Sequence, residues 1–415
     1  MHHEISLIST IAVGLVYAAI GGYLASRLRL PPLVGYLLAG VVVGPFTPGF
    51  VADAKLAPQL AEIGVILLMF GVGMHFSVRD LLAVRNIAVP GALVQIASAV
   101  VLTWGLATSW GWSFGASLVL GLALSVASTV VLLRGLEAQG ILKSESGQIA
   151  VGWLIVEDLV TIIILVLLPA LATVLPGGTG TSEPVGHNGN QPLLAVLGIA
   201  LAKFGVFVAF MLLIGARLLR WSLERVAATN SRELFTLAVV AAAIGIGFAA
   251  AEVFTLSFAL GAFLAGVVVG ESDHSHRAEE ELRALQDAFT ALFFVAMGML
   301  FDPVILIRQP FQVLAVVGII VLGKSSTALL LVRVLGFRWS TALIVAASLA
   351  QIGEFSFILA ELGVALHLLT LEGRSLIVAG ALLSITLNSF LLQAAASMEA
   401  KRQPSLDPSA NQKRE

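Results

Sequence analysis

The chain has 415 residues, of which 58% are hydrophobic and only 12% are charged, and its formal net charge is −2. A mean hydropathy of +1.00 excludes a soluble globular protein and indicates a polytopic membrane protein. Since the sequence contains no cysteine, disulfide frameworks, thiolate metal sites and cysteine catalysis are excluded as well.

The first apolar stretch, Ile5 to Ser26, is too long for the hydrophobic region of a signal peptide and has no basic residue before it. We therefore expect a retained membrane helix. Further apolar stretches follow along the whole chain, separated by glycine, proline and charged residues. Together they predict an all-α polytopic membrane protein with thirteen transmembrane helices, at residues 5–26, 33–50, 60–76, 87–109, 113–136, 147–172, 192–219, 233–250, 253–270, 286–302, 310–334, 340–363 and 373–398.

Basic residues are distributed unevenly between the two sides of these spans. One side holds only Lys55, Arg308 and Arg374, and two more lysines, Lys203 and Lys324, fall inside spans. The other eighteen of the 23 basic residues lie on the opposite side. Cytoplasmic loops are rich in Lys and Arg, so the pattern predicts an inner (cell) membrane protein with its N-terminus outside and its C-terminus in the cytoplasm.

Two connections between spans differ from the others in composition. The outer connection Pro176 to Pro192 is rich in glycine and predicts a flexible surface loop. The inner stretch Ser272 to Phe289 is strongly charged and amphipathic. We predict a solvated loop between spans for it, with a regulatory or partner-docking surface as the alternative.

The sequence contains an internal repeat. Gly35 to Gly44 and Gly261 to Gly270 share eight of ten residues at an offset of 226. Two further matches follow in order at nearly the same offset, 67–76 with 292–301 and 134–142 with 358–366. Each unit contains six predicted helices, and the single helix between them inverts the second unit. Inverted repeats with a binding site at the membrane midplane are typical of transporters, and this argues against an enzyme.

The fifth and twelfth spans, which are repeat partners, carry polar residues at the same level. Ser128 and Thr129 lie in the fifth, and Gln351 and Glu354 lie in the twelfth, next to Gly353. We predict that both helices are interrupted there and cross, so that freed backbone groups and these side chains line the crossing. The alternative is back-bonding of Ser and Thr within straight helices.

The Glu157-Asp158 pair lies about halfway along an apolar span, where a carboxylate is costly unless it binds something. Its counterparts in the second repeat are Ala381 and Leu382, so the pair is unique to the first repeat. Two adjacent carboxylates in a medium of low dielectric constant cannot both be ionised cheaply without a cation. The pair therefore predicts a site that holds a proton or a metal cation, with a purely structural, hydrogen-bonded pair as the alternative.

Three other polar residues within or beside the spans need partners. Lys324 is near the middle of its span, and a salt bridge with Glu157 or Asp158 is the simplest compensation. It is then either a charge partner that cation binding releases or a permanent scaffold. Glu354 either has a structural role or contributes to the cation path. His75 ends the third span, and we predict an interfacial residue there and no pH sensor.

Four motifs in order resemble the monovalent cation:proton antiporter 2 family, in its Kef-type, YbaL-like branch. They are 35–45, the Glu157-Asp158 pair with the apolar run after it, 292–300 and 350–359, and the similarity covers nearly all of residues 5–398. The resemblance implies thirteen helices in two inverted six-helix repeats, usually in a homodimer. It also implies that Asp158 carries the ion and the proton, and that Lys324 corresponds to the lysine that electrogenic members pair with their acidic residues.

The resemblance also implies that spans four to six and eleven to thirteen form a mobile core against a scaffold of spans one to three and eight to ten. With the repeat, this predicts a first repeat at 1–172 (scaffold helices and first core helix at 1–109, core helices at 110–172), an outer loop and linker helix at 173–220, a second repeat at 221–398 and a cytoplasmic tail at 399–415. Kef-type members continue into a cytosolic nucleotide-binding regulatory domain. That domain would be missing here, through truncation or because this member lacks it.

From the sequence we predict a monovalent cation/proton antiporter that exchanges Na⁺ or K⁺ for H⁺ by alternating access. Asp158 and Glu157 would bind the cation, Lys324 would be the charge partner, and we expect no cofactor besides the transported ions. Two alternatives stay open: a gated K⁺ efflux channel that does not couple to protons, and a cation-coupled symporter of organic anions. Residue types do not separate Na⁺ from K⁺, because the two sites differ in carbonyl geometry.

Overall fold

A computed structural model describes residues 2–47, 56–76, 78–173, 175, 193–254 and 256–402. All regular secondary structure in these ranges is helical, as the sequence predicts. The predicted flexible loop Pro176 to Pro192 and the tail beyond residue 402 lie outside the described residues.

The helices of the first half run from the N-terminus to the end of the predicted linker. They are α1 (His2–Arg27), α2 (Pro32–Val43), α3 (Ala57–Met74), α4 (Val78–Ser109), α5 (Phe114–Ser125), α6 (Thr129–Ala138), α7 (Glu145–Ala172), α8 (Leu193–Phe210) and α9 (Ala216–Ala227). A π-helical turn, Met211–Gly215, joins α8 to α9.

The second half also contains both long and short helices. Its helices are α10 (Arg232–Phe254), α11 (Phe258–Gly270), α12 (Ser275–Met299), α13 (Ile305–Arg308), α14 (Pro310–Gly318), α15 (Ser325–Val334), α16 (Trp339–Ser348), α17 (Glu354–Ala365) and α18 (Leu371–Arg402). A second π-helical turn, Ile319–Lys324, joins α14 to α15 and ends at the intramembrane lysine.

Within the described residues, nine helical stretches are long and apolar enough to cross a membrane. Four shorter apolar helices accompany them, at Pro32–Val43, Pro58–Met74, Phe258–Gly270 and Trp339–Ser348. The prediction of an all-α, multi-pass membrane protein is thus confirmed. The number of crossings and the inverted repeat stay predictions.

Two of the differences between the structure and the predicted segments concern α2 and α12. The second span was expected to reach residue 50, but α2 ends at Val43, where Gly44 adopts an extended conformation. The prediction of a solvated loop at Ser272 to Phe289 was wrong, because α12 begins at Ser275 and continues into the membrane-spanning part. Ion pairs stabilise this charged first part: Arg283 Nη2 is 3.1 Å from Glu279 Oε1, one helical turn away.

The helices pack in two groups. In one group, α2 and α3 pack against α11 and α12, and α1 lies beside α2. Backbones approach closely here, since a Cβ atom at Gly298 would come within 2.1 Å of the carbonyl oxygen of Leu37. The other group contains α4 to α7 and α14 to α18. Aromatic contacts join the groups, with Phe293 of α12 edge-on to Phe357 of α17 at 6.1 Å between ring centroids.

Two helix interruptions lie inside the second group, where the sequence predicts them. The chain is non-helical at 126–128 between α5 and α6, and at 349–353 between α16 and α17. Ser128 begins α6 as its N-cap, its hydroxyl accepting a hydrogen bond from the N–H of Val131. A Cβ atom at Gly353 would come within 2.1 Å of the Ser128 Cβ atom, so a glycine is needed for the two segments to touch.

Candidate functional site

The two interruptions contact each other through one amide side chain. The backbone N–H of Ser128 donates to Oε1 of Gln351 at 2.9 Å, and Nε2 of Gln351 donates to the carbonyl oxygen of Ser128 at 3.1 Å. Gln351 thus replaces two backbone hydrogen bonds that the break in the helix leaves unmade. Both residues are completely buried. The crossing predicted from the sequence is therefore a hydrogen-bonded unit.

Glu157 of α7 is held at this crossing by both of its carboxylate oxygens. Oε2 accepts a hydrogen bond from the backbone N–H of Ala127 at 2.9 Å. Oε1 accepts one from Nε2 of Gln95, on α4. The side chain is fully buried. Both oxygens of Glu157 thus have a hydrogen-bond donor within the protein.

Asp158, the next residue of α7, has a different environment. Its Oδ2 accepts a hydrogen bond from the hydroxyl of Thr129 at 3.0 Å. Its Oδ1 is buried and has no hydrogen-bond partner among the described residues. The residue as a whole is 5% exposed, whereas Glu157 is 0% exposed. Asp158 therefore has one oxygen available for a proton or a cation.

Glu354 lies where the N-termini of α6 and α17 meet, next to the two breaks. Its Oε2 accepts from the Ser128 hydroxyl at 2.8 Å, and its Oε1 accepts from the backbone N–H of Thr129 at 3.3 Å. These donors belong to the N-terminus of α6, and Glu354 itself lies in the first turn of α17. A carboxylate is stabilised at such a position by the freed N–H groups and the helix dipole. The contacts of Glu354 therefore fit a structural role.

Lys324 is fully buried and its ammonium group lies beside the second break. Nζ donates a hydrogen bond to the carbonyl oxygen of Gln351 at 3.0 Å. Among the described residues, no ion pair within 4.0 Å joins Lys324 to Glu157 or Asp158. The contact that we expected to be a direct salt bridge is thus made to a backbone carbonyl, with the carboxylate farther away.

The structure brings together all residues that the sequence placed at the crossing, and it adds others that we did not single out. Gln95 is one; it lies within the fourth predicted span, where an amide needs a partner for the same reason as a carboxylate does. Asn388 is another, donating from Nδ2 to the carbonyl oxygen of Ala347 at 2.6 Å, at the end of α16. Buried amides in apolar spans are the signal that would have revealed both residues.

His75 lies away from this cluster. It caps the end of α3, and its Nε2 is 3.2 Å from Oε1 of Glu279 on α12, with the imidazole 62% exposed. Its surroundings agree with the predicted interfacial position.

A cavity of about 360 Å³ approaches the cluster from the side where α7 ends. Leu165 of α7 and Ile358 of α17 are part of its wall. Two carboxylate residues line it as well, Glu62 of α3 and Glu361 of α17. Leu165 is seven residues beyond Asp158, or about 10 Å along the helix axis. This cavity lies between the two helix groups, on the side predicted to be outside.

The chemistry of the crossing suits a small, hard cation. Carboxylate, hydroxyl and carbonyl oxygens converge there, and these are the ligands that such cations take. A carboxylate that binds a cation must release its proton, and protonation expels the cation. A site of this kind couples cation movement to proton movement without any further group.

Comparison with known proteins identifies the family. The profile of the family described as "Sodium/hydrogen exchanger, transmembrane" matches residues 15–397. YbaL of Escherichia coli (strain K12), provisionally named a cation/proton antiporter, is 58% identical over 391 residues, which are 94% of this chain and 69% of YbaL. K(+) efflux antiporter 4 of Arabidopsis thaliana is 32% identical over 370 residues, covering 88% of this chain and 60% of the plant protein.

A solved structure shares the fold. The sodium proton antiporter MjNhaP1 from Methanocaldococcus jannaschii superposes with a TM-score of 0.73 over 97% of this chain and 99% of that chain, at 16% sequence identity. These comparisons confirm the family resemblance that the four sequence motifs carry. The relatives are transporters and not enzymes. The chain belongs to the sodium/hydrogen exchanger family, and it is a monovalent cation:proton antiporter of that family.

Proposed function

We propose that the chain exchanges Na⁺ or K⁺ for H⁺ by alternating access, with Asp158 as the carboxylate that holds either the proton or the cation. The observation that supports the proposal is that Oδ1 of Asp158, buried beside two interrupted helices, has no hydrogen-bond partner in the part of the chain that the structure describes. A buried carboxylate with a free oxygen is costly when ionised and empty. Binding a proton or a cation removes that cost, and the two compete for the same atom.

Glu157 and Lys324 have supporting roles in this mechanism. Both oxygens of Glu157 accept hydrogen bonds, from Gln95 and Ala127, and such bonds stabilise the ionised form of a buried carboxyl group. Glu157 remains an anion and balances the buried ammonium of Lys324. Thr129 contributes its hydroxyl oxygen to the cation at Asp158, and Gln351 keeps the crossing assembled.

The proposed frame has thirteen membrane crossings in two inverted repeats, 1–172 and 221–398, joined by the linker at 173–220. The nine long and four short apolar helices supply these crossings. The core helices α4 to α7 and α14 to α18 move against the scaffold helices α1 to α3 and α10 to α12. The N-terminus is outside and the tail 399–415 is cytoplasmic, in the inner membrane. The distribution of basic residues supports this orientation.

Three further features complete the proposal. The chain works as a homodimer, it needs no cofactor besides the transported ions, and a cytosolic nucleotide-binding domain, if joined to it, would regulate it. Support for the dimer lies in the family membership. The mechanism within one subunit does not depend on any of the three.

Transport by purified protein in liposomes tests the proposed exchange. Liposomes that contain a pH-sensitive dye receive an imposed pH gradient, and then Li⁺, Na⁺, K⁺ or Rb⁺ is added outside. We expect Na⁺ or K⁺ to collapse the gradient at a rate that saturates with cation concentration. Cation flux that is unaffected by the pH gradient and moves no protons would contradict antiport and indicate a channel.

A further inference from the structure

A cleft of about 350 Å³ lies on the side of the crossing opposite to the cavity that Glu62 and Glu361 line. Its walls come from the connection between α1 and α2, from α6 and from α18. Two arginines line it, Arg29 in that connection and Arg134 on α6. The described residues of its wall include no acidic side chain; the other polar ones are Gln139, Asn388, Ser389 and Gln393.

Neither arginine has a charged partner among the described residues. No ion pair or hydrogen bond of the guanidinium groups of Arg29 and Arg134 is found there, whereas four other arginines, Arg220, Arg232, Arg283 and Arg374, do form ion pairs. Both side chains are exposed and line the same cleft, so an anion bound there would be attracted by two positive charges.

Arg29 follows the end of α1 in a left-handed helix cap. Its φ angle is +61°, and the backbone N–H of the next residue, Leu30, donates to the carbonyl oxygen of Ala25 at 2.9 Å. The cap turns the chain from α1 toward α2 and leaves Arg29 in the wall of the cleft.

The hydrogen-bond donors in the wall of the cleft indicate the chemical class of its ligand. Arginine binds phosphate through two parallel N–H donors, and amide side chains add neutral donors around it. The wall also contains apolar residues, among them Leu33 and Leu392, which would contact the uncharged part of a ligand. The chemistry therefore fits a phosphate group attached to an organic body.

We propose that this cleft binds a phosphate-bearing ligand between Arg29 and Arg134 and that the bound ligand holds the core against the scaffold. Arg29 lies in the proposed scaffold and Arg134 in the proposed core, so a ligand in this cleft would lie between the two helix groups. Asn388, in the same wall, bonds the end of α16 at the interrupted helix. That the ligand binds is inferred from the cleft alone. That it holds the core against the scaffold depends on the proposed alternating-access motion as well.

The phosphate has two sources that the cleft chemistry does not separate, an anionic phospholipid headgroup of the cytoplasmic leaflet or a soluble phosphorylated compound. Two probes separate them. The lipid probe is nanodiscs of phosphatidylcholine with or without phosphatidylglycerol, with retained lipid counted by native mass spectrometry after release into detergent. The soluble probe is inorganic pyrophosphate, titrated in pure phosphatidylcholine nanodiscs by calorimetry.

The variants are Arg29→Gln, Arg134→Gln and the double variant, and Arg217→Gln is the matched control. Arg217 lies on the same predicted side, is exposed and does not line the cleft. We expect wild-type protein to bind one of the two probes, and each cleft variant to bind it about tenfold more weakly, since a charge-assisted hydrogen bond is lost. The control should bind as wild type does.

Binding of neither probe by wild-type protein would overturn the proposal. So would an equal loss in Arg217→Gln, which would indicate a general effect of positive charge at the membrane surface. The locking step has its own measurement. Where the probe binds, adding it should slow exchange by wild-type protein and leave the double variant unaffected. Exchange that is equally fast with and without bound probe would refute the lock while leaving both the antiport mechanism and the binding site intact.

Discussion

The ammonium group of Lys324 donates a hydrogen bond to the backbone carbonyl of Gln351, 3.0 Å away, at the break between α16 and α17. The lysine thus satisfies a carbonyl that the interrupted helix leaves free, and its charge offsets that of the buried Glu157. One side chain therefore stabilises both the break and the acidic residue.

The charge balance between Lys324 and Glu157 can be measured as a coupling. Lys324→Gln removes the positive charge and leaves Glu157 buried without compensation, so we expect a loss of about 3–5 kcal/mol in stability. Glu157→Gln should also destabilise, and the double variant should lose less than the sum of the two. The melting temperatures of the four proteins in detergent give the comparison. Additive losses would show that the two charges do not compensate each other.

The hydroxyl of Thr129 is predicted to be a cation ligand. Thr129→Val removes a neutral oxygen next to Asp158, so we expect the KM for the cation to rise about tenfold while the fold is retained. Thr129→Ser should restore the wild-type KM. The control is Thr161→Val, since the Thr161 hydroxyl bonds only to the carbonyl of Glu157 in its own helix, at 2.7 Å. Equal KM values for Thr129→Val and wild type would remove Thr129 from the site.

Arg374 connects the core to the scaffold at the outer cavity. Its Nη1 is 3.4 Å from Oε1 of Glu361, and its Nη2 donates to the carbonyl oxygen of Leu300 at 3.2 Å. Leu300 ends the scaffold helix α12, whereas Arg374 begins the core helix α18. Arg374→Gln loses both contacts, so the outer cavity should open more often.

Cysteine labelling measures this opening, because the chain has no native cysteine. A cysteine in place of Ile358, in the wall of the outer cavity, reports access from outside. We expect a membrane-impermeant maleimide to react about tenfold faster with it when Arg374→Gln is also present. Arg308→Gln, at an exposed arginine on the same predicted side, should leave the rate unchanged. Equal rates in all three proteins would mean that Arg374 does not restrain the core.

Close packing of glycine backbones is predicted to hold the scaffold together. Gly298→Ala would place a methyl group against the carbonyl oxygen of Leu37, and we expect a loss of about 1–3 kcal/mol in stability. A Cβ atom added at Gly105 on α4 would have no heavy atom of the described residues within 4 Å. Gly105→Ala should therefore be neutral or slightly stabilising, through helix propensity. Thermal unfolding in detergent compares the two, and equal effects would contradict the packing argument.

Much of the architecture could be predicted from the sequence, because hydrophobic runs and costly buried charges are visible there. The broken helices were predicted from Ser128 and Gln351, and the structure shows the break at both residues. The exact ends of helices were less predictable. Gly44 ends α2 early, and the charged residues after Ser272 form helical ion pairs where we predicted a loop.

The hydrogen-bond partners of the site residues were harder to predict than the site residues themselves. Lys324 bonds to the backbone of Gln351, and a backbone carbonyl has no sequence signal of its own. Gln95 was missed because an amide within an apolar span is less conspicuous than a carboxylate. Its contact with Glu157 joins residues 62 positions apart, and single-sequence spacing does not reveal such a pair.

The separate roles of the two neighbouring carboxylates are the central claim. In the liposome assay, Asp158→Asn removes the group that takes both proton and cation, whereas Glu157→Gln, a matched change at the adjacent position, keeps it. We predict that Asp158→Asn abolishes cation-dependent collapse of the pH gradient, and that Glu157→Gln retains exchange at a reduced rate. Wild-type exchange by Asp158→Asn, or loss of exchange by a folded Glu157→Gln alone, would contradict the mechanism.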